Sequence, residues 1–153
     1  MEITMALCLP RDAASVPVVR RIATQALRSV GFHDEDVSDM ELALTEAASN
    51  VLRHSRDGDN YEVRVELVDT ELTIEVVDAG HGFDSDGLGR DEALGTAETG
   101  RGIQLMRALT DDIRFNYRVD HGSVVRMVKT LRVEADSPLA TLEALAARGE
   151  SAR

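Results

Sequence analysis

Glu46 and Asn50 stand four residues apart within the run Met40–His54, MELALTEAASNVLRH. Residues four apart on a helix lie one above the other. A carboxylate stacked one turn from a neutral amide suits one kind of work. The carboxylate takes a proton, and the amide oxygen ligates a hard cation that also holds phosphate oxygens. A solvated helix face carries the same pair with no chemistry. Asp78 adds a second group: it continues the alternation Leu72, Ile74, Val76 in phase, so a pleated strand aims its carboxylate inward. A buried carboxylate needs a partner. Either Asp78 caps its own turn through Ala79-Gly80, or it accepts a hydrogen bond from a ligand amine such as the exocyclic amine of adenine. Gly80-His81-Gly82 then either permits positive φ and close approach of backbone to a flat ligand or simply punctuates a turn. Gly100-Arg101-Gly102 precedes a helical pattern. There, amide donors and the helix dipole favour an anion, and glycine removes the Cβ that would obstruct a phosphate.

These groups need a scaffold to hold them. Ile3, Met5, Leu7 and Leu9 alternate with Thr4, Ala6 and Cys8 as a strand does, and Pro10, Arg11 and Asp12 end the run. Pro17 suits a first helical turn, with Val19, Ile22, Ala23, Ala26, Leu27 and Val30 as the expected buried stripe and Gly31 as the stop. Asp34, Glu35 and Asp36 supply a cap and first-turn charge to the next helix. At about 100° per residue, that helix gathers Val37, Met40, Leu44, Ala47, Ala48 and Val51 on a core face. It ends near Ser55–Gly58; Arg53 and His54, one turn after Asn50, are either further phosphate-side candidates or, as favoured, a solvated helix end. Tyr61, Val63, Val65 and Leu67, a turn at Asp69-Thr70, then Leu72, Ile74 and Val76 predict a hairpin. Residues 79–99 are rich in Gly, Asp and Ser without a period, which suggests a lid. Ile103, Leu105, Met106 and Leu109 mark a short helix. Ile113, Phe115, Tyr117 and Val119 alternate, Asp120-His121-Gly122-Ser123 turns, and Val124–Leu131 returns as the last strand. In the tail, Ser137, Pro138, Leu139, Leu142 and Leu145 suggest a short amphipathic helix. The expected fold class is α+β, a two-layer sandwich with a mixed, mostly antiparallel sheet and helices on one face. One domain over 1–133 and a tail over 134–153 are the expected organisation.

Composition narrows the function classes. The 153 residues carry a formal net charge of −11 with no basic stripe, which disfavours direct nucleic-acid binding. Aromatics make up 3% and Trp is absent, so base-stacking platforms are not expected. The lone cysteine, Cys8, has no internal partner and fits a reducing compartment. Apolar runs are too short to span a bilayer and no secretory pattern is present, so a cytoplasmic protein without membrane attachment is expected.

Taken together and in this order, Glu46-x-x-x-Asn50, Asp78-x-Gly80-x-Gly82, a lid and Gly100-x-Gly102 resemble the Bergerat ATP-binding fold of gyrase, Hsp90, histidine kinases and MutL. The wording TEAASNVLRH, DAGHGFD and GRGIQLMRALTDD is most similar to the bacterial anti-sigma-factor serine kinases of the RsbW type. The resemblance implies ATP and Mg²⁺ as cofactors, with Asn50 as the metal ligand and Glu46 as the catalytic base. It implies that Asp78 reads the adenine amine, that Gly80 and Gly82 lie beneath the ring, and that Gly100, Arg101 and Gly102 meet the phosphates. The implied partners are a sigma factor and an anti-anti-sigma antagonist whose serine accepts the phosphate, and a homodimer is left open. A nucleotide-gated binding protein with little or no kinase activity is the alternative, because the expected lid supplies only Arg90 and Arg101 as cations, with Glu98 adding an opposing charge.

Overall fold

The computed structural model describes residues 1–54, 59–78, 100–118 and 122–151. The chain runs β1 (Glu2–Pro10), α1 (Ser15–Val30), α2 (Asp34–His54), β2 (Asn60–Val68), β3 (Glu71–Val77), α3 (Arg101–Leu109), β4 (Asp112–Arg118), β5 (Gly122–Thr130) and α4 (Pro138–Ser151). The expected lid with Gly80 and Gly82, and Asp120-His121 of the expected turn, lie outside the described residues.

The five strands form one sheet in the order β1-β2-β3-β5-β4, and every pairing is antiparallel. The α+β layering is as expected; the parallel pairing implied by a mixed sheet is not formed among the described residues. Chain direction explains this. Two helices separate β1 from β2, so the second strand returns antiparallel, where a single helix would have made it parallel. The direction of β4 matches that of β3, but β5 inserts between them and pairs antiparallel with both.

Met5, Val65, Ile74, Met127 and Ile113 stand in one cross-strand row on the inner face, beneath the helices. On the outer face the matching row reads Ala6, Arg64, Glu75, Arg126 and Arg114. All six residues of the expected α2 stripe are buried, none more than 3% exposed. The α1 stripe is rotated from its expectation. Val16, Val19, Ala23, Thr24 and Leu27 face inward, while Ile22 is 42% exposed. The spacing 19, 23, 27 sets the buried line, and Ile22 lies about 100° away from Ala23. Thr24 is satisfied locally, its hydroxyl donating to the Arg20 carbonyl at 2.9 Å.

Gly31 stops α1 in the left-handed region (φ 101°), and a Cβ there would stand 2.2 Å from that of Ser137. Glycine is needed here for both reasons. Ser137 caps α4, accepting from the Ala140 amide at 3.0 Å. Of the expected tail stripe only Leu139 is buried; Leu142 and Leu145 are exposed.

The start of α2 is tied down by ion pairs. Asp36, buried, accepts from the Arg132 backbone amide (2.8 Å), Nε (3.0 Å) and Nη2 (2.8 Å). The Arg132 hydrogen bonds hold the Asp36 carboxyl below the usual carboxylate range against the opposing effect of burial. Glu35 also takes Arg132 at 2.8 Å, Asp34 takes Arg28 at 2.7 Å, and Asp39 takes Lys129 at 3.0 Å.

Candidate functional site

The core stripe of α2 fixes the rotation of the helix, which leaves Glu46 and Asn50 half-buried at the side of the helical layer. Neither side chain has a hydrogen bond or ion pair among the described residues. What stands opposite them is the start of α3. A Cβ built on Gly102 would lie 2.6 Å from Glu46 Oε2 and 3.9 Å from Asn50 Nδ2. The structure thus brings together three residues that the sequence holds in two distant segments. Met106, fully buried, and the half-buried Ile103 and Leu109 pin α3 in that position.

Gly100 is the N-cap of α3, in extended backbone (φ −65°, ψ 162°), and no side chain caps the helix. A Cβ at Gly100 would meet nothing within 4 Å among the described residues. An uncapped helix start has amide donors to offer an anion, and the dipole adds to the attraction. Arg101 is exposed at the same place. The two glycines therefore do different things: Gly102 makes room for the Glu46 carboxylate, and Gly100 borders open space.

Asp78 directly follows β3 and is 5% exposed, on the inner side that its phase predicts. Its amide donates to the Ser123 carbonyl at 2.8 Å. Its carboxylate accepts from Nη2 of Arg11, one residue past the end of β1, so a long-range cation meets it. Arg11 is a residue that the sequence reading treated only as part of a strand terminator. The signal was available, because Arg11 continues the inner phase of Ile3, Met5, Leu7 and Leu9 just as Asp78 continues that of β3. Close by, Tyr61 pairs with Leu9 in register and is fully buried; its hydroxyl and that of Ser15 are 2.7 Å apart. Burial pushes the Tyr61 phenol up, and the Ser15 hydrogen bond opposes this.

Gly80 and Gly82, with Arg90 and Glu98, lie outside the described residues, so the structure places Glu46, Asn50, Asp78, Gly100, Arg101 and Gly102 of the expected site. α2, which carries Glu46 and Asn50, packs on β3, which leads directly to Asp78. Arg53 is exposed, consistent with a solvated helix end.

A family model described as the histidine kinase-like ATPase domain matches residues 9–129. The chain belongs to that family. Within it, the chain is similar to serine-protein kinase RsbW of Bacillus thuringiensis (strain Al Hakam), 31% identical over 88% of this chain and 92% of the relative. Serine-protein kinase RsbW of Bacillus anthracis (strain CDC 684 / NRRL 3495) is 30% identical over the same shares, 88% and 92%. A crystal structure of the RsbU and RsbW domains of a Mycobacterium tuberculosis protein shares the fold, with a TM-score of 0.65 at 18% identity. The match covers 86% of this chain and 34% of that longer one. The chain is of the RsbW type of histidine kinase-like ATPase.

The residues present fit the nucleotide that this family name implies, on two observations. Among the described residues, no side chain caps the start of α3 and none approaches a Cβ built on Gly100 within 4 Å. At the other end, Nε and Nη1 of Arg11 are buried beside Asp78 without a hydrogen-bond partner among the described residues. Among the described residues, no helix is long and apolar enough to cross a membrane.

Proposed function

We propose that this chain is an ATP-dependent protein serine kinase that holds a sigma factor out of action and phosphorylates an anti-anti-sigma antagonist on serine. The observation that carries this reading is the approach of Gly102 to Glu46 and Asn50, which sets a helix N-terminus against a carboxylate without a partner among the described residues. Bound ATP with Mg²⁺ supplies the phosphoryl group and much of the charge neutralisation. The protein's own groups then divide the work. Asp78 accepts from the adenine amine, and Gly80 and Gly82 are the further residues assigned to the base. Gly100, Arg101 and Gly102 hold phosphate oxygens through the α3 amides and the Arg101 guanidinium. Asn50 supplies an amide oxygen to the cation. Glu46 takes the proton from the acceptor serine hydroxyl.

The same reading puts the protein in the cytoplasm with its partners, and self-association into a homodimer is compatible with it. Phosphate on the antagonist serine adds close to two negative charges beside a chain of net charge −11, so release follows transfer. The experiment is incubation with γ-labelled ATP, Mg²⁺ and small antagonist proteins encoded near its gene. Labelled phosphoserine on one antagonist is the expected result. Nucleotide-dependent capture of a sigma factor with no label transferred would establish the nucleotide-gated binder instead, and no ATP binding would remove both.

A further inference from the structure

Arg11 has hydrogen-bonding capacity that the protein leaves unused. A guanidinium carries five N–H donors in a fixed fork. Nη2 donates to Asp78 Oδ1, but Nε and Nη1 are buried and meet no acceptor among the described residues. The Arg11 side chain is 13% exposed, so water does not substitute freely. Buried donors without partners cost free energy and call for an explanation. A guanidinium serving only as a counterion to Asp78 is expected to lay two donors on the carboxylate in parallel; here a single one does so.

We propose that Arg11 is a base-reading residue. One of its two unpartnered donors is satisfied by an adenine ring nitrogen flanking the 6-amino group, while Asp78 accepts from that amine. This rests on the nucleotide-binding reading above. Adenine presents a donor next to an acceptor on either side of its amine, and Asp78 with Arg11 presents the complement, an acceptor next to a donor. A carboxylate has lone pairs enough for both the guanidinium and the amine. Guanine places a carbonyl oxygen opposite the carboxylate, an acceptor against an acceptor, and is rejected. Arg11 also keeps the buried Asp78 charge compensated before the neutral base arrives.

The test is calorimetric titration of the whole chain with ATP, 1-deaza-ATP and 7-deaza-ATP in Mg²⁺, since each analogue keeps the amine and lacks one flanking nitrogen. One of the two is expected to bind the wild-type protein on the order of tenfold more weakly than ATP, and the other about equally. In Arg11→Met that difference should vanish, because the group that reads the nitrogen is gone. A purely structural Arg11 would lower all three affinities together and preserve their ratios. Equal affinity of the wild type for all three nucleotides overturns the proposal while leaving the ATP site in place, and this arm holds even where Arg11→Met does not fold. A penalty that persists unchanged in Arg11→Met overturns it as well. Binding of none of the three by the wild type would remove the proposal together with the reading beneath it.

Discussion

Over its first turns α2 presents Asp34, Glu35, Asp36, Asp39 and Glu41, and each meets a cation: Arg28, Arg132, Arg132, Lys129, and Arg28 with Arg20. Further along, the same helix presents Glu46 and then Asn50, and neither has a partner among the described residues. One helix therefore carries acidic groups in two conditions. The paired set ties α2 to α1 and to the chain leaving β5, which fixes where the helix lies. Glu46, held half-buried by that frame, keeps its lone pairs for something else. The difference teaches that an acidic residue on a helix is not informative by type; what it faces across the fold decides its role. Asp78 is the instructive exception, a carboxylate that is paired and yet stands at the candidate base-reading end.

Four substitutions press on this contrast. Asp78→Asn puts a donor where the adenine amine needs an acceptor, so ATP affinity should fall by about 2 kcal/mol or more in calorimetry. If stability drops while ATP affinity holds, Asp78 belongs with the frame. Asp36→Asn should do the opposite. It removes charge-assisted bonds to a guanidinium that is half exposed, so about 1–2 kcal/mol of stability should go, with ATP affinity unchanged. The effect has a pH signature. The Asp36 pKa is depressed in the folded state below its ordinary 3.8, so its contribution is present above that value and is lost as pH falls through the folded pKa. Denaturant unfolding should show the wild-type advantage shrinking in acid; an advantage constant with pH would contradict the pairing. Gly102→Ala is the mildest. Its Cβ pushes on the end of a flexible Glu46 side chain, so the fold should survive and transfer should drop by roughly tenfold at most. Gly100→Ala enters open space and should leave Glu46 in place.

Much of this arrangement was legible in the residue pattern. The α2 stripe, the hairpin of β2 and β3 and the inward aim of Asp78 follow from periods of 3.6 and 2, which local sequence carries directly. The pairing of Glu46 with Gly102 was not legible as a contact, because two helices far apart in sequence make it. Arg11 was not legible for the same reason: its partner is 67 residues away, and Pro10 marks a strand end although the inner phase continues one step further. The Asp36–Arg132 clamp spans 96 residues, so first-turn charge was all that spacing could predict. Ile22 was placed wrongly because hydrophobicity alone does not fix which arc of α1 meets α2.

The availability of Glu46 is the claim on which the proposed chemistry stands, and Glu46→Gln addresses it in one comparison. Wild type and variant are titrated with ATP and Mg²⁺, and phosphoserine formation on the antagonist is timed in the same preparations. The expected result is an affinity within about twofold of wild type and transfer lower by on the order of a hundredfold or more, the usual worth of a positioned base. Transfer at the wild-type rate would return Glu46 to an ordinary helix face, and a parallel loss of ATP affinity would make it a binding residue rather than the base.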